Sequence, residues 1–290
     1  FFMNLVAPPM YREIDPTPLF AIFFPLFFGF IVGDIGYGFV IFCFSLTVRH
    51  KFREVPWVFQ LMSILMISSI SAMIFGYIYG EIFGDFGEHM GWLSPFTIFG
   101  ISWNRIESII PLLTLAIGIG VFHVFLGLSL GILNSYRRHN TRHIIEKAGM
   151  IGLISGILLL FGSYTGHVPG SVTFAVIILV FISIAGLLYG GGSRGVIEVM
   201  GTIGNIMSYA RLMAIGLASV ILAFVANRLS QELGILILGI IVAILLHTLN
   251  VCLAMFSPSI HSLRLHVVEF FSKFYEGGGT PYKPFGKEPL

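Results

Sequence analysis

The feature that most constrains this chain is a series of apolar runs, each long enough to cross a bilayer and none alternating as half-buried strands do. A bilayer core about 30 Å thick needs about 20 apolar residues in a helix. Within it every backbone polar group must be satisfied by the protein, which leaves helices or closed barrels. Continuous apolar runs point to helices. Read in order, they give full spans at residues 19–48, 56–80, 106–133, 144–164, 171–189, 195–227 and 235–274. The expected fold is all-α, a polytopic transmembrane helix bundle with two long tilted C-terminal helices, and residues 1–290 form one membrane domain. Charged residues make up only 10% of the chain, against about 25% in a soluble domain.

The loops set the topology. RHKFRE, SYRRHNTRH and GGSRG are basic, whereas the connector after residue 80 carries Glu81, Asp85 and Glu88. Lys- and Arg-rich loops stay on the cytoplasmic side. All three basic loops reach that side if the chain enters from outside and crosses seven times. Residues 1–10 are then expected to be the outer end of a further helix, so the sequence reads as a fragment of a longer protein. The net charge of +2 gives no sign of nucleic-acid binding, and Cys43 and Cys252 sit in apolar runs rather than in a disulfide framework.

Against this background the intramembrane charges stand out. Arg211 lies near the middle of the sixth span, where a cation costs roughly 2.5–3.5 kcal/mol on insertion scales. On a continuous helix Gly204, Ser208, Ala214 and Ala218 share its face, a small-residue groove that another helix can approach closely. A packing arginine that snorkels to the interface is the alternative; the mid-span position argues against it. The last span is about 40 residues, or about 60 Å if unbroken, so it must tilt, kink at Pro258 near Ala254, or project from the membrane. His247, Asn250, Ser257, His261 and Arg264 run down one face of it. Such a stripe lines either a hydrated path or an interhelical hydrogen-bond seam, and Arg264 favours the path.

Other titratable groups fit around these arginines. Asp34 sits mid-span among Gly29, Gly33, Gly36 and Gly38, and Glu81 and Asp85 lie at the outer mouth. Glu198 lies near the inner end of the sixth span, about 140° from the Arg211 face on an ideal helix. His123 reads as an interior hydrogen-bonding histidine. The set suggests two aqueous vestibules separated by a fixed positive barrier, a path for a proton or cation. No catalytic constellation, phosphate-binding glycine loop or metal-ligand spacing is present, so neither a metal nor a cofactor is expected.

Four segments, SYARLMAIGLAS, HSLRLHVVEFFSKFYEGGGTPYKPF, EIDPTPLFAIFFPLFFGFIVGDIGYG and FGYIYGEIFG, together resemble the membrane half of the V/A-type rotary ATPase stator subunit, called subunit a in vacuolar enzymes and subunit I in bacterial and archaeal ones. The resemblance implies a cytoplasmic N-terminal arm ahead of eight membrane helices, and a non-catalytic subunit in a bacterial or archaeal plasma membrane. It implies two half-channels for H⁺ or Na⁺ against a rotating c/K proteolipid ring that carries a membrane-embedded carboxylate. Ion flow would be coupled to ATP synthesis or hydrolysis on other subunits. The implied partners are that ring, the peripheral stalk, central-stalk-associated subunits and the lipid bilayer. The family's essential arginine falls on Arg211, its second arginine on Arg264, and its inner half-channel carboxylate on or near Glu198, one residue closer to the arginine than in vacuolar members. Asp34 matches an acidic position of the first motif. The glutamate that vacuolar members carry ten residues before the second arginine is Ala254 here, which leaves Glu81, Asp85 or His261 for the outer half-channel. Two other readings are a stand-alone cation-coupled secondary transporter and a membrane anchor with arginines used only for packing.

Overall fold

The computed structural model describes residues 8–11, 13–98, 101–166 and 169–279. Helices dominate: α1 Thr17–Val32, α2 Ile35–Lys51, α3 Pro56–Tyr79, the single turn α4 Phe86–His89, α5 Ile109–Arg137, α6 Thr141–Tyr164, α7 Thr173–Met207, α8 Ala210–Glu232 and α9 Leu236–Arg264. Among the described residues the only strand pairing is a two-residue antiparallel ladder, β1 Thr97–Ile98 with β2 Ile101–Ser102, so the chain is all-α as expected. Among the described residues five stretches are long and apolar enough to cross a membrane: α3, α5, α6, the run from Gly170 to Glu232 and the run from Leu236 to Lys273.

The chain divides into two compact units. One holds Pro18–Phe122 and Gly204–Glu269; the other holds His123–Ile203 together with the segments up to Thr17 and from Phe270. In the first unit α2 packs along α3, α8 along α9, and α2 also touches α9. Its core is built from Phe28, Val32, Tyr37, Ile41, Leu65, Ala72 and Ala223. In the second unit α6 meets α7 through small residues: a Cβ on Gly190 would lie 2.6 Å from the Arg142 carbonyl oxygen.

The span expected at 19–48 is interrupted. α1 ends at Val32 and α2 begins at Ile35, and Gly33 between them takes φ +43°, a left-handed conformation that residues with a Cβ adopt only with strain. The fifth and sixth spans are also redistributed. α7 runs through the expected loop at 190–195 with a kink at Gly192, where φ is 58° and ψ −142°. It ends at Met207, and Arg211 belongs to a new helix, α8. At this junction the Ser208 Oγ donates to the Gly204 carbonyl, and the Arg211 and Leu212 amides donate to the Ser208 and Tyr209 carbonyls, a tightening to i→i+3 bonding. Glu198 and Arg211 are therefore not on one helix. Pro258 stays inside α9; the departure from α-helical geometry comes later, in a π-helical turn at Leu265–Phe270 followed by a 3₁₀ turn at Phe271–Lys273.

Candidate functional site

A helix broken inside an apolar run frees carbonyls at the end of its first half and amides at the start of its second, and lipid offers them no partner. Two buried charged side chains fill this gap. Arg105, 1% exposed, donates from Nη1 to the Ile31 carbonyl at 2.9 Å and from Nη2 to the carbonyls of Val32 and Gly33, each at 3.0 Å. It thereby caps α1. Its Nε donates to Glu81 Oε1 at 2.9 Å, and its Nη2 also contacts Glu81 Oε2. The Tyr79 ring lies 4.8 Å from the guanidinium carbon. Burial pushes the Glu81 carboxyl up to about 7 against the pull of Arg105, and Glu81 in turn raises Arg105.

Asp34 caps the other half. Its Oδ1 accepts the amides of Tyr37 at 2.9 Å and Phe83 at 3.0 Å, and its Oδ2 accepts Gly84 at 2.7 Å. The Ile35 amide donates to the Glu81 carbonyl at 3.0 Å. Gly76 makes this approach possible, because a Cβ there would sit 2.4 Å from the Ile35 nitrogen. Asp34 and Glu81 thus meet around one break, with Arg105 as the common charge partner of the region.

Asp85 lies at one end of a chain of hydrogen bonds. Asn227 donates to Asp85 Oδ1 at 2.6 Å and to the Phe83 carbonyl at 3.0 Å. Asn227 Oδ1 meets His247 Nε2 at 3.0 Å, and His247 Nδ1 meets the Tyr37 hydroxyl at 2.7 Å. An amide oxygen can only accept, so His247 carries its proton on Nε2 and receives the tyrosine proton on Nδ1. Glu81, Asp85, Glu88, His89, Glu107 and Arg228 share the walls of an open cavity of about 440 Å³.

The stripe on α9 divides. Asn250 is buried and bonded twice to Ser219, donating to its carbonyl at 2.9 Å and accepting its hydroxyl at 3.0 Å. With His247, it makes the first part of the stripe an interhelical seam. Ser257 and Asn250 border a mostly apolar cavity of about 580 Å³ that also includes Ala254. His261 follows at the end of α9, where its Nδ1 is buried without a hydrogen-bond partner among the described residues.

Arg211 and Arg264 are brought together by a residue absent from the expected set. Glu269 Oε1 lies 3.9 Å from Arg211 Nη1 and 4.0 Å from Arg264 Nε. The carboxylate side chain is 2% exposed, Arg211 24% and Arg264 57%. Glu269 is five residues past Arg264, which an α-helix would carry about 140° away. The π turn, with its wider i→i+5 bonding, returns Glu269 toward the arginine. Beyond Arg211, Ala214, Ala218, Ile221 and Val225 continue an exposed face of α8. Glu198 belongs to the other unit, where its Oε1 accepts from Lys147 Nζ at 2.7 Å. Nearby in that unit Lys273, 5% exposed, donates to Thr202 Oγ1 at 2.8 Å, and His123 stacks on Phe270 with ring centroids 3.9 Å apart.

The segment that holds Arg211, Arg264 and Glu269 is also the one with a family match: residues 196–286 match the V-type ATPase 116kDa subunit family. Similarity extends over almost the whole chain. The A-type ATP synthase subunit I of Archaeoglobus fulgidus is 35% identical across 96% of this chain and 50% of that protein. This chain is a homologue of subunit I. The Methanocaldococcus jannaschii A-type subunit I is 32% identical over 97% of the chain and 46% of its own length. The V-type ATP synthase subunit I of Borreliella burgdorferi is 26% identical over 98% and 52%. The subunit I homologue spans about half the length of these relatives. It is a multi-pass membrane protein of an archaeal or bacterial type.

Neither Arg105 nor Glu269 is among the expected site residues, for different reasons. Arg105 is the one Lys or Arg between Glu81 and Ile109, in a loop otherwise acidic; that isolation was its signal. Glu269 carries no spacing signal, because its position depends on the π turn.

Proposed function

We propose that this chain is the ion-translocating membrane stator of an A/V-type rotary ATPase. It carries H⁺ or Na⁺ past Arg211 between two aqueous approaches, coupled to ATP synthesis or hydrolysis on other subunits. Its partners are a c/K proteolipid ring bearing a membrane carboxylate, peripheral-stalk and central-stalk-associated subunits, and the surrounding lipid. The observation that carries this reading is the pairing of two guanidiniums, from α8 and the end of α9, within the family-matched segment, beside an exposed face of small and apolar residues.

A ring carboxylate within about 4–6 Å of Arg211 is held ionised and releases its ion, because an opposite charge favours the charged form. It reloads from the second approach before it returns to lipid. The fixed charge also blocks direct leak, against a field worth about 2.3 kcal/mol per charge per 100 mV. Glu198 serves the inner approach. Glu81 and Asp85 serve the outer one, where the 440 Å³ cavity collects acidic groups, and Ser257 and His261 lie along the route toward Arg264. Asp34 contributes by holding the break in the first apolar run.

The test is ATP-driven ion uptake into vesicles that contain the whole complex, with R211A beside wild type. Loss of uptake with retained assembly and ATP hydrolysis supports the stator role. Continued uptake by an assembled R211A complex refutes it.

A further inference from the structure

Glu269 lies in the buried π turn that follows α9, and a single oxygen faces both arginines at 3.9 and 4.0 Å. These separations exceed hydrogen-bond length, so the carboxylate acts on the two guanidiniums through its field rather than by locking either in a fork. The groups of this unit that act on it include Ser208, Tyr209 and Arg211 around the start of α8, and Arg264 from its own chain segment. His261 feels both arginines, and His266 is buried on the same π turn. With both guanidiniums and the carboxylate ionised, the site carries one net positive charge.

We propose that Glu269 is a positioning residue that sets the charge of the translocation site so that it accepts one carboxylate and lets it go again. The inference rests on the stator reading above. With Glu269 present, a visiting ring carboxylate neutralises the site. With Glu269 made neutral, the same visitor meets two uncompensated guanidiniums, stays ionised to lower pH and leaves more slowly. The π turn aims the carboxylate, since regular α-helix beyond Arg264 would turn it away.

The experiment measures ATP-driven proton uptake by the whole complex in vesicles, across pH, for wild type, E269Q, E269D and the charge-restoring pair E269Q/R264Q. The expected result for E269Q is uptake slowed about tenfold, with its pH profile displaced to lower pH by about one unit, as a lost neighbouring charge implies. E269D should keep the wild-type profile, and E269Q/R264Q should move back toward it. An E269Q profile that does not move overturns the proposal, and so does a double variant no nearer wild type than E269Q. Should E269Q fail to assemble, an E269Q/R264Q complex that assembles and pumps supports the proposal, and one that also fails to assemble overturns it. R211A run in parallel separates the two readings: if it pumps, the stator role fails, whereas loss in R211A with an unmoved E269Q profile removes the role of Glu269 alone.

Discussion

Replacing Arg105 with methionine keeps most of the volume and removes the charge. Three carbonyls at the end of α1 lose their donors, and Glu81 loses its guanidinium partner. Removing one member of a buried ion pair costs about 3–5 kcal/mol. That is a large share of a typical folding free energy of about 5–15 kcal/mol. The sign of the pH dependence follows from Glu81. Its folded value, about 7, already exceeds its ordinary 4.5 because burial outweighs the pull of Arg105; without the guanidinium it rises further. A carboxyl raised in this way favours the fold fully below its unfolded value, and that contribution is lost as pH rises through the folded one. R105M should therefore lie closer to wild type at pH 5 than at pH 8. The companion variant E81M/R105M removes both charges and should be more stable than R105M at pH 8, though still below wild type because α1 remains uncapped. The assay is thermal unfolding of the chain in lipid nanodiscs at both pH values. An R105M protein within about 0.5 kcal/mol of wild type, or one relatively weaker at pH 5, refutes the argument that buried charge holds the break.

Two further substitutions probe the same break. D34A removes the acceptor for three backbone amides and should cost about 2–3 kcal/mol in nanodisc unfolding, with D34N intermediate because its NH₂ cannot accept. G33A places a Cβ 2.4 Å from the Tyr79 ring at φ +43°; a loss of about 1–3 kcal/mol in the same measurement is expected, and a neutral result would show that Gly33 is free to leave the left-handed region.

Much of the architecture was legible because its cause is local. A bilayer admits helices wherever apolar residues run on for about 20 positions, and α3, α5 and α6 are continuous helices in such runs. Arg211 and Arg264 stood out because a cation inside such a run is costly. The breaks were less legible. At Gly33–Asp34 the glycines and the acid were visible, but no local signal ends α1 there. The break is stable because Arg105, 72–74 residues on, satisfies carbonyls that lipid would leave bare. The stripe on α9 could be a path or a seam until Ser219, Asn227 and Tyr37 supplied partners for Asn250 and His247.

Hydropathy and spacing alone therefore determined that the chain is a helical membrane protein with two unusual arginines, since burying a helix in lipid depends on each segment's own composition. Tertiary structure decided where the helices stop and which carboxylate the arginines face. Capping a break and sharing a charge both require atoms far apart in sequence to come within about 3–4 Å, and for Glu269 they also require a π turn that no periodic pattern announces.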